Sequence, residues 1–416
     1  MIQTFFIYTL LLSIMYLLTT YNYRCYRVQF VKTGIANGNF MSDYLLVILF
    51  FSIIAGCRFG VGTDYEYYLE PYYYNDISDR LEPIFKWFSN ICLSLDLHPT
   101  VYFSIIAFVQ LSCCLFIFKG NRFLIPLFVV YLFTNGLFGS WMNTIRQDLA
   151  TCIWLYSIQF ARQRKLTKYL ICSVICIGFH YSSAILIPLY PIIANGKDYC
   201  PSRKVQLIIF TAAIILRGFL ESMLMHAEGI FQLYTNAMAM VSGGSYDSYT
   251  VDGSLDQMAE NAASTSKSGL AFLFKMIVYY VIIIYSERIK HFYNSGLFNT
   301  IYNFFFISIV VTYILPGGAF NLARPFQYFV PFSSIVLAYF TYYMSMRLKN
   351  VVYFVHDGVF QVAQNEDNVD KRKRDYIIGL TIIIGFIGIL YLSILTSDYG
   401  SDNQGYLFYF QQTKFK

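Results

Sequence analysis

The chain has 416 residues, of which 57% are hydrophobic, 19% are aromatic and only 13% are charged. A soluble domain carries about 25% charged residues, so the composition excludes an ordinary soluble enzyme and indicates an integral membrane protein. The net charge of +6 does not predict nucleic-acid binding, because the basic residues lie in short connections between apolar runs, where they orient membrane helices.

Apolar runs of about 15 to 20 residues, the length that crosses a bilayer as a helix, recur along the chain. They lack the alternation of a strand barrel. We therefore predict an all-α, polytopic membrane protein with about 12 transmembrane helices, forming one domain over residues 1–416. The first run, Ile2 to Thr20, has no basic residue before it and no small-residue cleavage site, which favours a retained helix over a signal peptide.

The basic residues predict the orientation. One set of connections, which includes the loop 346–375, contains 20 of the 30 basic residues. Such connections stay in the cytoplasm, where the run 371–374 is expected to contact anionic membrane lipids. Connections 58–100 and 221–268 are then outside. Within the first of these, the apolar segment 83–97 is short and contains a lysine, which predicts a re-entrant or surface helix.

The nine cysteines lie mostly inside apolar runs, which favours packed thiols. A disulfide between Cys57 and Cys92 is an alternative at the outer surface. Cys172, Cys176 and His180 share one helical face, but no fourth ligand is evident, so we predict no metal site.

The stretch CRFGVGTDYEYY, at the outer end of an apolar run, combines Arg58, Asp64 and Tyr65 with glycines that permit a folded-back loop. The simpler interpretation is an interfacial belt, since tyrosines favour the membrane boundary.

Polar residues also mark three later outer connections. Arg146 and Gln147 occur in NTIRQDLA, His180 occurs in GFHYSSAILIPL, and Arg324 precedes a proline in NLARPFQYF. Arginine offers forked donors that match phosphate oxygens and keeps its charge, although a structural role is an alternative for each. Arg217, near the outer end of its run, is a weaker addition to the same group. All these residues are predicted to lie on one side of the membrane.

In the content and order of these stretches, between residues 40 and 345, the chain resembles the EpsG-like branch of the Wzy polysaccharide polymerases. The resemblance implies a GT-C-like helix bundle and a glycosyltransferase of the bacterial inner membrane, with its active site facing the periplasm. Such an enzyme polymerises O-antigen, capsule or exopolysaccharide repeat units carried on undecaprenyl diphosphate. The growing chain moves to the non-reducing end of the next lipid-linked unit, and undecaprenyl diphosphate is released.

On this interpretation the lipid-linked oligosaccharide is both donor and acceptor, a Wzz-like chain-length regulator is a partner, and no cofactor is required. Arg58, Arg146 and Arg324 would bind the donor diphosphate, with Gln147, Tyr65 and Arg217 as further substrate contacts. Asp64 is the first choice for the base that accepts the proton of the attacking hydroxyl, and His180 is the second. A single displacement would invert the anomeric centre.

Two other classes of protein remain open. A flippase for lipid-linked sugars predicts charges near the middle of the membrane and two related halves. A ligase or acyltransferase of surface glycans is the third interpretation. The polar residues gather at one mouth of the predicted bundle, which favours chemistry on one side of the membrane.

Overall fold

A computed structural model describes residues 2–33, 39–62, 64–77, 81–224, 269–315, 324–356, 359–364, 367–396 and 406–412. Nearly all of the predicted outer loop 221–268 therefore lies outside the described residues. The described chain contains sixteen α-helices, which are α1 Ile2–Thr33, α2 Phe40–Gly56, α3 Tyr65–Tyr73, α4 Pro83–Ser94, α5 Pro99–Leu115, α6 Ile125–Thr134, α7 Leu137–Asn143, α8 Ile145–Arg162, α9 Leu166–Phe179, α10 Tyr190–Asn195, α11 Arg203–Leu224, α12 Leu270–Ile284, α13 Ser286–Tyr293, α14 Gly296–Ile314, α15 Pro331–Met346 and α16 Val369–Thr396. Short 3-10 helices cover Phe116–Phe118, Arg122–Leu124, Tyr181–Leu189, Arg324–Phe329 and Tyr409–Gln411.

Several of these helices are long and apolar enough to cross a bilayer. Among the described residues there are five, or up to seven if each of two bent helix pairs is one span. The five contain α1, α5, α14, α15 and α16, and the bent pairs are α6 with α7 and α12 with α13. Helices α2 and α9 and the segment Tyr181–Asn195 are apolar but shorter. The protein is therefore a multi-pass helical membrane protein, while the figure of about 12 spans stays a prediction.

Two short pairs of antiparallel strands depart from the all-α prediction. Strand β1, Arg58–Phe59, pairs with β4, Leu407–Phe408, and β2, Val351–His356, pairs with β3, Val359–Gln364. The second pair lies inside the predicted loop 346–375. The sequence between β2 and β3 is Asp-Gly, a dipeptide that favours a tight hairpin turn.

The connections between helices form two groups, which differ in the ion pairs and hydrogen bonds that they contain. One group, the basic end, is held by pairs of opposite charge, which are Arg122 with Asp43, Lys290 with Asp198, and Arg347 with Asp367 and Asp375. The other group, the motif end, contains Arg58, Glu82, Arg146 and His180. Helix α8 begins at the motif end and finishes at the basic end. The charge pattern of the sequence predicts the same two sets of connections.

Helix α4 is the segment for which we predicted a re-entrant or surface helix. Its 12 residues cover about 18 Å, short of the ~30 Å thickness of the hydrocarbon core. It packs against α9, where a side chain on Gly178 would collide with Ile84. Its first residue, Pro83, follows Glu82 directly, so α4 brings a carboxylate to the motif end.

A 60° bend separates α6 from α7, the short helix that precedes α8. Gly136 has a left-handed φ of 89°, and the break leaves backbone groups that must be satisfied inside the bundle. Lys275 Nζ donates to Asn135 O at 3.2 Å, which places a cation at the carboxyl end of α6, as the helix dipole favours. The Asn135 side chain donates to Ser333 and Ser334. The bend is therefore supported by two further helices.

The nine cysteines are all free thiols, as predicted, and the alternative bridge between Cys57 and Cys92 is not formed. Cys176 shows how such a thiol packs, since its Sγ donates to Ala150 O at 3.2 Å and joins α9 to α8.

The loop between β1 and α3 generates a prediction about stability. Gly62 has φ of 96°, and a Cβ there would lie 2.7 Å from Met142 O. Gly62→Ala should destabilise the protein by about 1–3 kcal/mol and lower its melting temperature in detergent. Gly139→Ala, in α7, is the control, because nothing lies within 4 Å of its Cβ position. Equal melting temperatures for the two variants would contradict the close approach.

Candidate functional site

The centre of the motif end is an ion pair between Glu82 and Arg146. Glu82 lies immediately before α4 and is only 3% exposed, while Arg146 lies in the first turn of α8. Arg146 Nη1 donates to Glu82 Oε2, and its Nε donates to Tyr68 OH at 3.2 Å. Only part of the five-donor guanidinium is used in these two bonds, and the side chain keeps 20% of its surface exposed. Arg146 can therefore bind an anion while it remains paired.

His180 completes this cluster from a third element. It directly follows α9 and is 6% exposed, with Nδ1 at 2.8 Å from Glu82 Oε1. Burial lowers the pKa of His180, and the positive charges of Arg146 and Arg324 lower it further. The hydrogen bond and the charge of Glu82 raise this pKa, but they do not offset the decrease. Burial would raise the pKa of Glu82, but the hydrogen bond from His180 and the charge of Arg146 outweigh it and hold that pKa below its ordinary value. Glu82 is thus ionised at neutral pH.

Arg324 and Gln147 connect the cluster to the segment that precedes α15. Gln147, next to Arg146 in α8, donates from Nε2 to Arg324 O at 2.8 Å. Arg324 is half-buried and lies close enough to act on the charge of His180. The structure therefore brings together four of the residues that the sequence singles out, Arg146, Gln147, His180 and Arg324.

Arg58 and Tyr65 belong to a separate, buried contact. Arg58 Nη1 donates to Ala55 O at 2.6 Å, and its guanidinium lies over the rings of Tyr65 and Phe103. Tyr65 is fully buried and donates from its hydroxyl to Arg58 O at 2.8 Å. Neither side chain presents an exposed face to which a diphosphate or a sugar could bind in this arrangement. The position favours a structural part for both residues rather than the substrate contacts expected from the sequence.

Asp64 lies beside the cluster, whereas the described contact of Arg217 is with another helix. The backbone N–H of Asp64 donates to Asn143 Oδ1 at 3.0 Å, which ties the loop before α3 to the end of α7. Asp64 is half-buried and near enough to Tyr68 for its charge to act on that hydroxyl. Arg217 lies in α11, with its guanidinium over the ring of Phe272 at 5.2 Å.

The sequence did not indicate that Glu82 and Tyr68 are the hydrogen-bond acceptors of Arg146. Glu82 precedes a proline that begins a helix, a pattern that predicts only an acidic residue at a helix N-terminus. Nothing in the local sequence indicates that Arg146 and His180 approach it. Tyr68 occurs in a run of tyrosines in α3. Three of them are buried and Tyr67 is exposed; the buried ones are Tyr65, Tyr68 and Tyr72. This helical spacing could have distinguished the buried tyrosines from the exposed one in the sequence.

The arrangement combines fixed cations with a buried imidazole that a carboxylate orients. Guanidinium groups bind phosphate oxygens, and such an imidazole can accept a proton. Within the described ranges no group of three His, Cys, Asp or Glu side chains is arranged to hold a metal ion. The site can therefore bind a phosphorylated ligand and transfer a proton.

Fold and site together define a multi-pass helical membrane protein with a buried cluster of Glu82, Arg146 and His180 at one end of its helices. The model of the EpsG family matches residues 43–356, which include every residue of that cluster. The chain belongs to the EpsG family. This family is associated with glycosyltransferase-like polymerases and with polysaccharide biosynthesis. No curated protein and no solved structure matches the chain.

The contrast between Arg58 and Arg324 generates a prediction. Arg58→Ala removes an enclosed guanidinium that donates to a helix-terminal carbonyl, and should cost about 1–3 kcal/mol of stability. Arg324→Ala removes a half-buried side chain and should leave the melting temperature in detergent close to that of the native protein. The measurement is thermal unfolding of both purified variants. An unchanged melting temperature for Arg58→Ala would contradict its structural part.

Proposed function

We propose that this protein is a Wzy-type polymerase that joins oligosaccharide repeat units carried on undecaprenyl diphosphate. The single observation that supports this function most directly is the cluster in which Arg146 and His180 both pair with Glu82, while Arg324 lies close enough for its charge to act on His180. Arg146, His180 and Arg324 come from three stretches that are remote in sequence and that resemble the polymerase family. Arg146 lies in NTIRQDLA, His180 in GFHYSSAILIPL and Arg324 in NLARPFQYF. The family match extends across all of them.

In the proposed mechanism, the diphosphate of the donor binds to Arg146 and Arg324. Arg146 retains donors beyond those that Glu82 and Tyr68 use, and Arg324 adds a second positive charge. These charges are in place before the reaction and stabilise the diphosphate as the leaving group. We expect no metal requirement, because the fixed guanidinium charges supply this stabilisation. Direct displacement by the acceptor hydroxyl would invert the anomeric centre.

The two substrates fit the rest of the molecule in outline. Their lipid tails would lie among the membrane helices, which belong to a GT-C-like bundle of about 12 spans in this proposal. Their saccharides would extend from the motif end into the periplasm of a bacterium with the protein in its inner membrane. A Wzz-like co-polymerase would regulate chain length. Lipid-linked oligosaccharide is thus proposed as both donor and acceptor.

The proposal predicts the effect of removing either arginine. Arg146→Ala and Arg324→Ala should each lower polymer synthesis by about 100-fold or more, the effect of losing one preorganised charge at a leaving group. The assay uses purified protein in vesicles, with the single lipid-linked units that accumulate in cells lacking this chain, and resolves the products by gel electrophoresis. Arg203→Ala, at the first residue of α11, is the control and should make long chains.

Normal ladders of long chains from both variants, at normal protein levels, would remove these arginines from the active site. Cells that lack the protein separate the other classes of function. Loss of a polymerase leaves single repeat units on the surface, and loss of a flippase leaves none. Loss of a ligase leaves polymer on the carrier lipid.

A further inference from the structure

One carboxylate holds two functional side chains at the motif end. Glu82 Oε2 accepts from Arg146, and Glu82 Oε1 accepts from His180 Nδ1 at 2.8 Å. The three residues come from different elements, because Glu82 precedes α4, Arg146 lies in α8 and His180 follows α9. Neither oxygen serves both partners. The position of Glu82 therefore couples the orientation of a cation to that of an imidazole.

The contact with Glu82 also determines which nitrogen of His180 is free. An ionised carboxylate only accepts hydrogen bonds, so Nδ1 must carry the proton that lies between the two groups. In a neutral imidazole, Nε2 then carries the lone pair. That nitrogen is buried and has no hydrogen-bond partner in the part of the chain that the structure describes. A buried acceptor without a partner has a free-energy cost, which a ligand hydroxyl would remove.

The charges around His180 keep it ready to accept a proton. Arg146 from α8 and Arg324 from the segment before α15 disfavour the imidazolium, as burial does, and Glu82 favours it. The balance lowers the pKa of His180 below its ordinary value, so the neutral imidazole predominates at pH 7. Once the proton arrives, Glu82 stabilises the resulting charge.

We propose that Glu82 is the positioning residue of this site and that His180, oriented by it, is the catalytic base. This inference rests on the proposed polymerase function. The acceptor hydroxyl loses its proton to His180 Nε2 while its oxygen forms a bond to the anomeric carbon of the donor. The bond from that carbon to the diphosphate oxygen breaks, and its electron pair leaves with undecaprenyl diphosphate beside Arg146. His180 then releases the proton to water.

The proposal replaces Asp64 as the first choice for the base. Asp64 has its backbone N–H on Asn143, and its side chain is half-buried beside Tyr68. His180, by contrast, combines burial, a fixed tautomer and proximity to both arginines. A purely structural Glu82, which only ties α4 to α8 and α9, is the alternative that the experiment must exclude.

The experiment measures initial polymerisation rates against pH for the full-length protein in vesicles, with lipid-linked units purified from cells lacking this chain. Glu82→Gln keeps the shape of the side chain but removes its charge, so the rate should fall by about 10- to 100-fold. The acid limb of the profile should move to lower pH, because the pKa of His180 falls without the carboxylate. His180→Gln should lower the rate by about 100-fold or more and abolish the limb.

Two further variants make the result decisive. The double variant Glu82→Gln/His180→Gln should be no slower than His180→Gln alone, because the amide oxygen at position 82 can still accept from Arg146 and the lost charge acts through the imidazole. Asp375→Asn removes another buried, ion-paired carboxylate, at the basic end, and should keep the native acid limb even where it lowers the melting temperature.

An acid limb at the native pH in Glu82→Gln, or retained in His180→Gln, would overturn this inference. Those results differ from a failure of the proposed function, in which the native protein itself makes no polymer from the lipid-linked units. Loss of activity in Glu82→Gln with an unchanged limb would indicate the structural alternative and would also overturn the inference.

Discussion

Burial of a carboxylate inside a helical membrane protein is the constraint on which the motif end depends. An isolated ionised carboxylate in such a place has a large free-energy cost, and removal of one partner from a buried pair typically costs about 3–5 kcal/mol. Glu82 avoids this cost because Arg146 and His180 each occupy one of its oxygens. The approach of α4, α8 and α9 at this point is therefore an electrostatic requirement as well as a packing solution.

The same requirement explains why the cluster is assembled at helix ends. Helix interiors in a membrane must satisfy their own backbone groups and present apolar side chains, so charged side chains concentrate where helices begin or finish. Glu82 precedes one helix, Arg146 begins another and His180 follows a third. Lys275 is an instructive exception, because it lies within α12 and reaches the carbonyl exposed by the bend after α6. Its charge is thus placed where the backbone of a neighbouring helix is interrupted.

Much of this architecture follows from the sequence. Composition and apolar runs predicted a helical membrane protein, and the three stretches that contain Arg146 and Gln147, His180, and Arg324 were predicted to share one side. Glu82 could not be predicted, because its partners lie 64 and 98 residues away and its local pattern is that of an ordinary helix start. Arg58 shows the opposite limit, since its motif predicted a ligand contact whereas two aromatic rings and a carbonyl enclose it. The pairing of β2 with β3 agrees with the Asp-Gly pair between them, a hairpin signal that our prediction of the loop 346–375 did not use.

The pairing of β1 with β4 has a consequence for the order of assembly. β1 follows α2, whereas its partner comes after α16, so the fourteen α-helices from α3 to α16 are synthesised between the two strands. Tyr409 N also donates to Cys57 O, and Tyr406 N donates to the Thr4 hydroxyl of α1. Contacts of such long sequence separation form late in folding. The strand pair at Arg58 can therefore form only after α16 has been synthesised, so this side of the motif end depends on the C-terminal segment of the chain.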